Sequence, residues 1–206
     1  MNAAAVLDAS LLLPAALAAA LAYLVGSLST AVVVCRAMGL PDPRTTGSKN
    51  PGATNVLRSG GRLPAALTLL GDALKGLLPV AVAALTLRHP PSVALVALAA
   101  FLGHLYPVFF EFRGGKGVAT ALGALLGIDL SVGALALLVW LAASLTFRRS
   151  SLAALATFAL VPAFLLIEGH RVYAVLFVGV AALLFYTHRE NLARLFAGTE
   201  PVIGKR

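Results

Sequence analysis

The run LLLPAALAAALAYLVGSLSTAVVVC, Leu11 to Cys35, holds 25 residues without a charge. A helix needs about 20 apolar residues to cross a hydrocarbon core about 30 Å thick. The run therefore reads as a membrane span and decides the fold class. Apolar windows recur at Leu63–Leu85, Ser92–Phe110, Val118–Gly127, Leu130–Phe147, Leu152–Ile167 and Val172–Thr187. Gly127-Ile128-Asp129 reads as a helix end followed by an N-cap, which divides the long stretch from Val118 to Phe147. The first half is then short for a full span, and is tilted or covered by its neighbours. The expectation is an all-α integral membrane protein with about seven transmembrane helices, one domain over residues 1–206.

Composition agrees with that reading. The chain has 206 residues, 60% of them hydrophobic and 12% charged, whereas soluble domains carry about 25% charged residues. Nothing basic precedes Arg36 and only Asp8 is charged before it, so the first run is expected to stay as a helix, unlike a cleaved signal peptide. Cys35, the single cysteine, excludes an internal disulfide and is expected to be an inert thiol near a membrane interface.

The net charge of +8 is unevenly distributed. Arg36, Arg44, Lys49, Arg58 and Arg62 share the first connection, Arg113 and Lys116 the third, and Arg148 and Arg149 the fifth. Arg189, Arg194, Lys205 and Arg206 follow the last span, whereas the opposite side has Arg88 and Arg171. The positive-inside bias then places the N-terminus outside and the C-terminus in the cytoplasm, with an odd number of crossings. The basic face lacks interleaved aromatic platforms, so no nucleic acid is expected as a partner.

Four polar stretches fall on that basic face. In TGSKNPGATNVLR, Thr46 to Arg58, prolines exclude regular helix, glycines admit close backbone approach, and Ser48, Lys49, Asn50, Thr54, Asn55 and Arg58 supply donors. Such a loop suits an oxyanion, phosphate above all, and a helix starting at Ala53 would add its dipole. An ordinary basic loop against lipid headgroups is the plainer reading. The second stretch, RGGKG at Arg113–Gly117, opens a helix at Val118 but lacks the GxxxxGK[ST] spacing of nucleotide loops. His104 precedes it in an apolar window, where it serves either a helix interface or a substrate. In the third, FRRSSL, Ser150 or Ser151 either caps the next helix or binds phosphate. In the fourth, YTHRENLARLF, a helix continuing past Thr187 would put His188 and Asn191 on one face. That histidine is either a phosphate or proton ligand or a solvated helix end. Asp72 and Lys75 form an i,i+3 pair inside an apolar span, where unpaired charge is costly; the pair either neutralises itself or points into a polar cavity shared with the loops.

Together these elements describe a site for more than one phosphate at the cytoplasmic leaflet. The absence of an internal repeat argues against a transporter. The face offers only Asp42, Glu111, Glu190 and Glu200 as acids, which argues against a metal-dependent lipid transferase. No metal-ligand spacing is visible, and neither a metal nor another cofactor is expected.

The chain resembles the bacterial acyl-phosphate-dependent glycerol-3-phosphate acyltransferases known as PlsY. The resemblance rests on Gly26-Ser27, the run Asp42–Asn55, Asp72-Ala-Leu-Lys75-Gly76, His104-Leu-Tyr-Pro107, Gly114–Thr120, Arg149–Leu152 and His188–Asn191, in that order over nearly the whole chain. It implies a seven-helix inner-membrane enzyme acting at the cytoplasmic face. The fatty acyl group would pass from acyl phosphate to the 1-hydroxyl of sn-glycerol 3-phosphate, giving lysophosphatidic acid and inorganic phosphate, the first acylation of bacterial phospholipid synthesis. The donor would be neither acyl-CoA nor acyl carrier protein, in keeping with the absence of any His-x-x-x-x-Asp. The resemblance places substrate binding on Ser48, Asn50, Arg58, Lys116, Ser151, His188 and Asn191, with Ser48, Lys116 and His188 in the chemistry. Lys49 departs from the small residue more usual there. Implied partners are the two substrates, membrane lipids and the enzyme that forms the acyl phosphate.

Overall fold

The structure is a computed structural model that describes residues 9–203; Asp8, Lys205 and Arg206 lie outside them. Helix is the only regular structure among the described residues. In chain order the helices are α1 (Ala9–Gly26), α2 (Thr30–Ala37), α3 (Ala53–Gly60), α4 (Arg62–Thr86) and α5 (Pro90–Leu105). After a 3-10 turn at Val108–Phe110 come α6 (Val118–Ile128), α7 (Leu130–Phe147), α8 (Ser150–Ile167), α9 (Arg171–Thr187) and α10 (Arg189–Phe196).

Each of the seven apolar windows is helical, but they are not seven full spans. Five segments are long and apolar enough to cross a bilayer, and a sixth is reached if α9 is joined to α10 across a 63° bend. The remaining window, α6, has 11 residues, about 16 Å at 1.5 Å per residue, or half a hydrocarbon core. α7 has 18 residues and shares the Asp129 corner with α6. Along the helices, the start of α6 therefore stops about 10 Å short of the far end of α7. The glycine loop before α6 makes up the difference, and this sinks it among the helices.

Close helix approach depends on absent side chains. A Cβ on Gly76 would lie 2.1 Å from the Thr120 carbonyl oxygen, and one on Gly123 would lie 2.0 Å from that of Ala73. α4 and α6 thus meet backbone to backbone, as small residues permit in membranes. Gly26 and Gly103 seat α1 on α5 in the same manner, each 2.3 Å from a facing carbonyl oxygen by that measure. Phe101, Leu125, Phe158, Phe177 and Leu184 fill the core on the α8–α9 side, where the Phe158 and Phe177 rings stack with centroids 6.3 Å apart. Leucines such as Leu85, Leu138 and Leu145 face outward, the surface that lipid would cover.

The first window is broken. α1 stops at Gly26 and α2 starts at Thr30, and Ser27–Ser29 between them leaves the Leu28 carbonyl outside any helical ladder. That carbonyl accepts a hydrogen bond of 2.8 Å from Lys75 Nζ, which also pairs with Asp72 Oδ1 at 2.8 Å. Both side chains of this i,i+3 pair are buried. The break in one span thus supplies the second partner that a buried ammonium requires.

Asp129 caps α7, its carboxylate accepting from the Ser131 and Val132 amides. Its other oxygen lies 2.9 Å from His170 Nε2, tying the α6–α7 corner to the α8–α9 corner. Hydrogen bonds from Ser131 and Val132 hold its pKa down at about 2.

Candidate active site

The loop from Asp42 to Gly52 folds around Asn55, which is buried on the first turn of α3. Asn55 Nδ2 donates to the Pro43 and Thr46 carbonyls at 2.9 and 3.0 Å, and Oδ1 accepts from the Ser48 amide at 3.0 Å. Its amide is spent on the loop, so Asn55 shapes the ligand site and does not serve as a ligand donor. A Cβ on Gly47 would lie 2.3 Å from Asn55 Oδ1, and Gly47 has φ +58°; both facts require glycine there. Lys49 also has positive φ, +55°, a conformation that glycine adopts at lower cost than lysine. Its side chain is exposed and takes no part in the cavity wall.

The second element is the glycine loop at the start of α6. The Gly115 amide donates to the His104 carbonyl at 3.1 Å. A Cβ on Gly114 would lie 2.0 Å from that same oxygen. Gly117 caps α6 with φ +92°. This fixes Lys116 beside the start of α6, where its Nζ donates to Asn191 Oδ1. Burial first, and then Arg194, lower the pKa of Lys116 below the ordinary lysine value. An ammonium has three N–H donors, so two remain for an anion.

The third and fourth elements meet through a residue whose importance the sequence pattern concealed. Glu200, in the tail beyond α10, is buried. Its Oε1 accepts from Ser151 Oγ and Asn191 Nδ2, both at 2.6 Å, and its Oε2 accepts from Arg194 Nε at 2.8 Å. Burial pushes this carboxyl up, but bonds from Ser151, Asn191 and Arg194 outweigh it and leave the pKa below normal. The Ser151 proton is thereby committed. Ser150 Oγ accepts from Thr54 Oγ1 at 3.4 Å, so the hydroxyl with a proton to spare is that of Ser150. Neither serine caps α8, whose N-cap is Arg149 with no side-chain cap bond.

The helix expected to run on past Thr187 turns by 63° at His188, and the turn sends α10 across the end of α8. His188, one residue past α9, is buried, with Nδ1 2.8 Å from the Leu184 carbonyl oxygen. A carbonyl only accepts, so Nδ1 carries the proton and Nε2 is left as an acceptor. Burial, then the nearby Lys116 charge, lower the pKa of His188 to about 4, so the ring is neutral near pH 7. Arg58 on α3 makes no hydrogen bond or ion pair among the described residues.

All these groups line one cavity of about 700 Å³. Ser48, Asn50, Arg58, Lys116, Ser150, Ser151, His188 and Asn191 surround its polar end. Leu69, Leu70 and Ala73 of α4, Leu122 and Leu126 of α6, and Leu137 and Trp140 of α7 continue it as an apolar groove. Four stretches far apart in the chain thus share one chamber, which also takes in His104 and Asp72.

Cationic donors at one end of an apolar groove, set among helices long and apolar enough to cross a bilayer, suit a multi-pass helical membrane enzyme. Residues 16–198 match the family model described as glycerol-3-phosphate acyltransferase. A glycerol-3-phosphate acyltransferase of Thioalkalivibrio sulfidiphilus is 56% identical over 186 residues, covering 90% of this chain and 92% of the relative. That of Methylococcus capsulatus is 54% identical over 188 residues, covering 90% and 94%. Among solved structures, the glycerol 3-phosphate form of PlsY (YgiH), an integral membrane glycerol 3-phosphate acyltransferase, superposes with TM-score 0.88 at 38% identity. It covers 93% of this chain and 96% of its own. Its lysophosphatidic acid form gives 0.85 at 37% identity. The chain belongs to the glycerol-3-phosphate acyltransferase family and is an acyltransferase.

Proposed function

We propose that this enzyme transfers a fatty acyl group from acyl phosphate to the 1-hydroxyl of sn-glycerol 3-phosphate, at the cytoplasmic face of the bacterial inner membrane. The products are lysophosphatidic acid and inorganic phosphate, the first acylation of phospholipid synthesis. The observation that carries this reading is the single cavity with phosphate donors at one end and an apolar groove at the other. A soluble phosphorylated alcohol enters from water while the acyl chain arrives through the bilayer.

Acyl phosphate is a mixed anhydride with a good leaving group, so no covalent acyl-enzyme is needed. The glycerol oxygen bonds to the carbonyl carbon, and the bond from that carbon to the phosphate oxygen breaks, its electron pair leaving with phosphate. The hydroxyl proton passes to His188 Nε2 or to a phosphate oxygen. Orientation and charge stabilisation supply the rate. Arg58, Lys116 and Ser48 hold the phosphates together with loop amides. His188 and Asn191 orient glycerol 3-phosphate, while Asn50, Ser150 and Ser151 close the wall. With the N-terminus outside and the C-terminus inside, as the charge distribution favours, this wall would lie at the cytoplasmic leaflet.

The test supplies purified protein with glycerol 3-phosphate and either palmitoyl phosphate or palmitoyl-CoA. Lysophosphatidic acid should form only from the acyl phosphate. No product from that donor overturns the proposal, whereas turnover with both refutes the donor assignment alone.

A further inference from the structure

His104, in the last turn of α5, has its ring buried between the glycine loop and the Asp72–Lys75 pair. Thr120 Oγ1 lies 2.9 Å from the Asp72 carbonyl oxygen, which can only accept, so the single hydroxyl proton is used there. The same Oγ1 lies 3.1 Å from His104 Nδ1, and Nδ1 must therefore carry the ring proton and donate it. The Asp72 carboxylate, 3.6 Å from Nδ1, favours that tautomer as well. Nε2 is left as an acceptor and has no partner among the described residues. A Cβ on Gly115 would lie 2.3 Å from Nε2, so only glycine there leaves that nitrogen open. His104 is part of the cavity wall, and the residue after Gly115 is Lys116.

Arg58, Lys116 and Ser150 give this wall the donors that a phosphate dianion needs, and His188 Nε2 is the acceptor left for the attacking hydroxyl. A further acceptor fixed beside them serves a ligand that donates. Glycerol 3-phosphate has two hydroxyls: the primary one attacks, and the secondary one sits one carbon nearer the phosphate. We infer that His104 binds this C2 hydroxyl through Nε2, with Thr120 and Asp72 as positioning residues that fix the tautomer. The inference rests on the proposed reaction and goes further by naming the group that distinguishes glycerol 3-phosphate from simpler phosphorylated alcohols. A site built to bond a hydroxyl rejects the analogue that lacks it.

The test compares kcat/KM for sn-glycerol 3-phosphate and for 3-hydroxypropyl phosphate, which keeps the attacking hydroxyl and lacks the C2 hydroxyl. Wild-type enzyme should prefer the former about tenfold, as one hydrogen bond allows. His104→Phe should abolish the preference chiefly by lowering turnover of glycerol 3-phosphate. His104→Gln should restore part of it through its amide oxygen, and Thr120→Val should weaken it by freeing the tautomer. A merely structural role would slow both substrates alike. A preference as strong in His104→Phe as in the wild type overturns the inference. If that variant does not fold, an unchanged preference in both His104→Gln and Thr120→Val overturns it equally. Wild-type enzyme inactive on both alcohols refutes the proposed reaction and this inference with it, whereas an active enzyme without preference refutes the role of His104 alone.

Discussion

Glu200 accepts from three side chains that belong to two walls of the cavity. Glu200→Gln keeps the shape but removes the charge, and turns an NH2 group toward donors. Hydrogen bonds to a charged group contribute about 1.5–3 kcal/mol each and are not additive. The variant should lose about 2–4 kcal/mol of stability, seen as earlier thermal unfolding in detergent, together with most of its activity. The pKa of Glu200 is depressed in the fold below its reference of 4.5. Its contribution is therefore complete above that value and is lost as pH falls through the folded pKa. His188 makes a separate prediction. Burial and Lys116 disfavour its cation, so kcat/KM should show no histidine ionisation near the ordinary 6.5 and should fall only toward about 4. Substrate phosphates also ionise at about 6, so an NMR titration of the His188 ring decides this, and an ionisation near the ordinary value would show the ring to be solvated. His188→Gln with full turnover beside an inactive Lys116→Ala would rule out the histidine as proton acceptor.

Between elements, stability resides where α4 and α6 touch backbone to backbone. Gly76→Ala would place a Cβ 2.1 Å from the Thr120 carbonyl oxygen, where no flexible side chain can yield. It should cost about 1–3 kcal/mol by overpacking and should also disturb Thr120 beside His104. Gly179→Ala on α9 meets nothing within 4 Å, and its higher helix propensity should leave the protein as stable or slightly more so. Midpoints of thermal inactivation for the two variants decide this, and equal midpoints would show that the interface tolerates separation. The same comparison shows what a sequence can convey. Apolar windows and the Asp129 cap were legible because they depend on neighbours in the chain. The seven residues singled out as ligands all line one chamber, since loop chemistry is also local. The break after Gly26, the turn at His188 and the role of Glu200 were not legible. The first and the last depend on distant partners: Lys75 for the Leu28 carbonyl, and Ser151, 49 residues away, for the carboxylate.

For the whole molecule, the distribution of charge argues which end of the bundle faces the cytoplasm. Four basic stretches converge on the cavity, whereas the Asp129–His170 corner marks the opposite end, where Arg171 starts α9. Lysine and arginine flanking spans are retained on the cytoplasmic side, and the soluble phosphorylated substrate would be found there. The cavity mouth should therefore open inward. Cys35 is 1% exposed, so Cys35→Ala gives a thiol-free background with little surface change. On that background Arg88→Cys, in the α4–α5 connection, should react with a membrane-impermeant maleimide in intact spheroplasts. Thr45→Cys, in the exposed part of the first loop, should react only after the membrane is permeabilised. The reverse pattern would place the active site outside, where neither a cytoplasmic alcohol phosphate nor an acyl phosphate made in the cell could reach it, and the proposed reaction would fail with the topology.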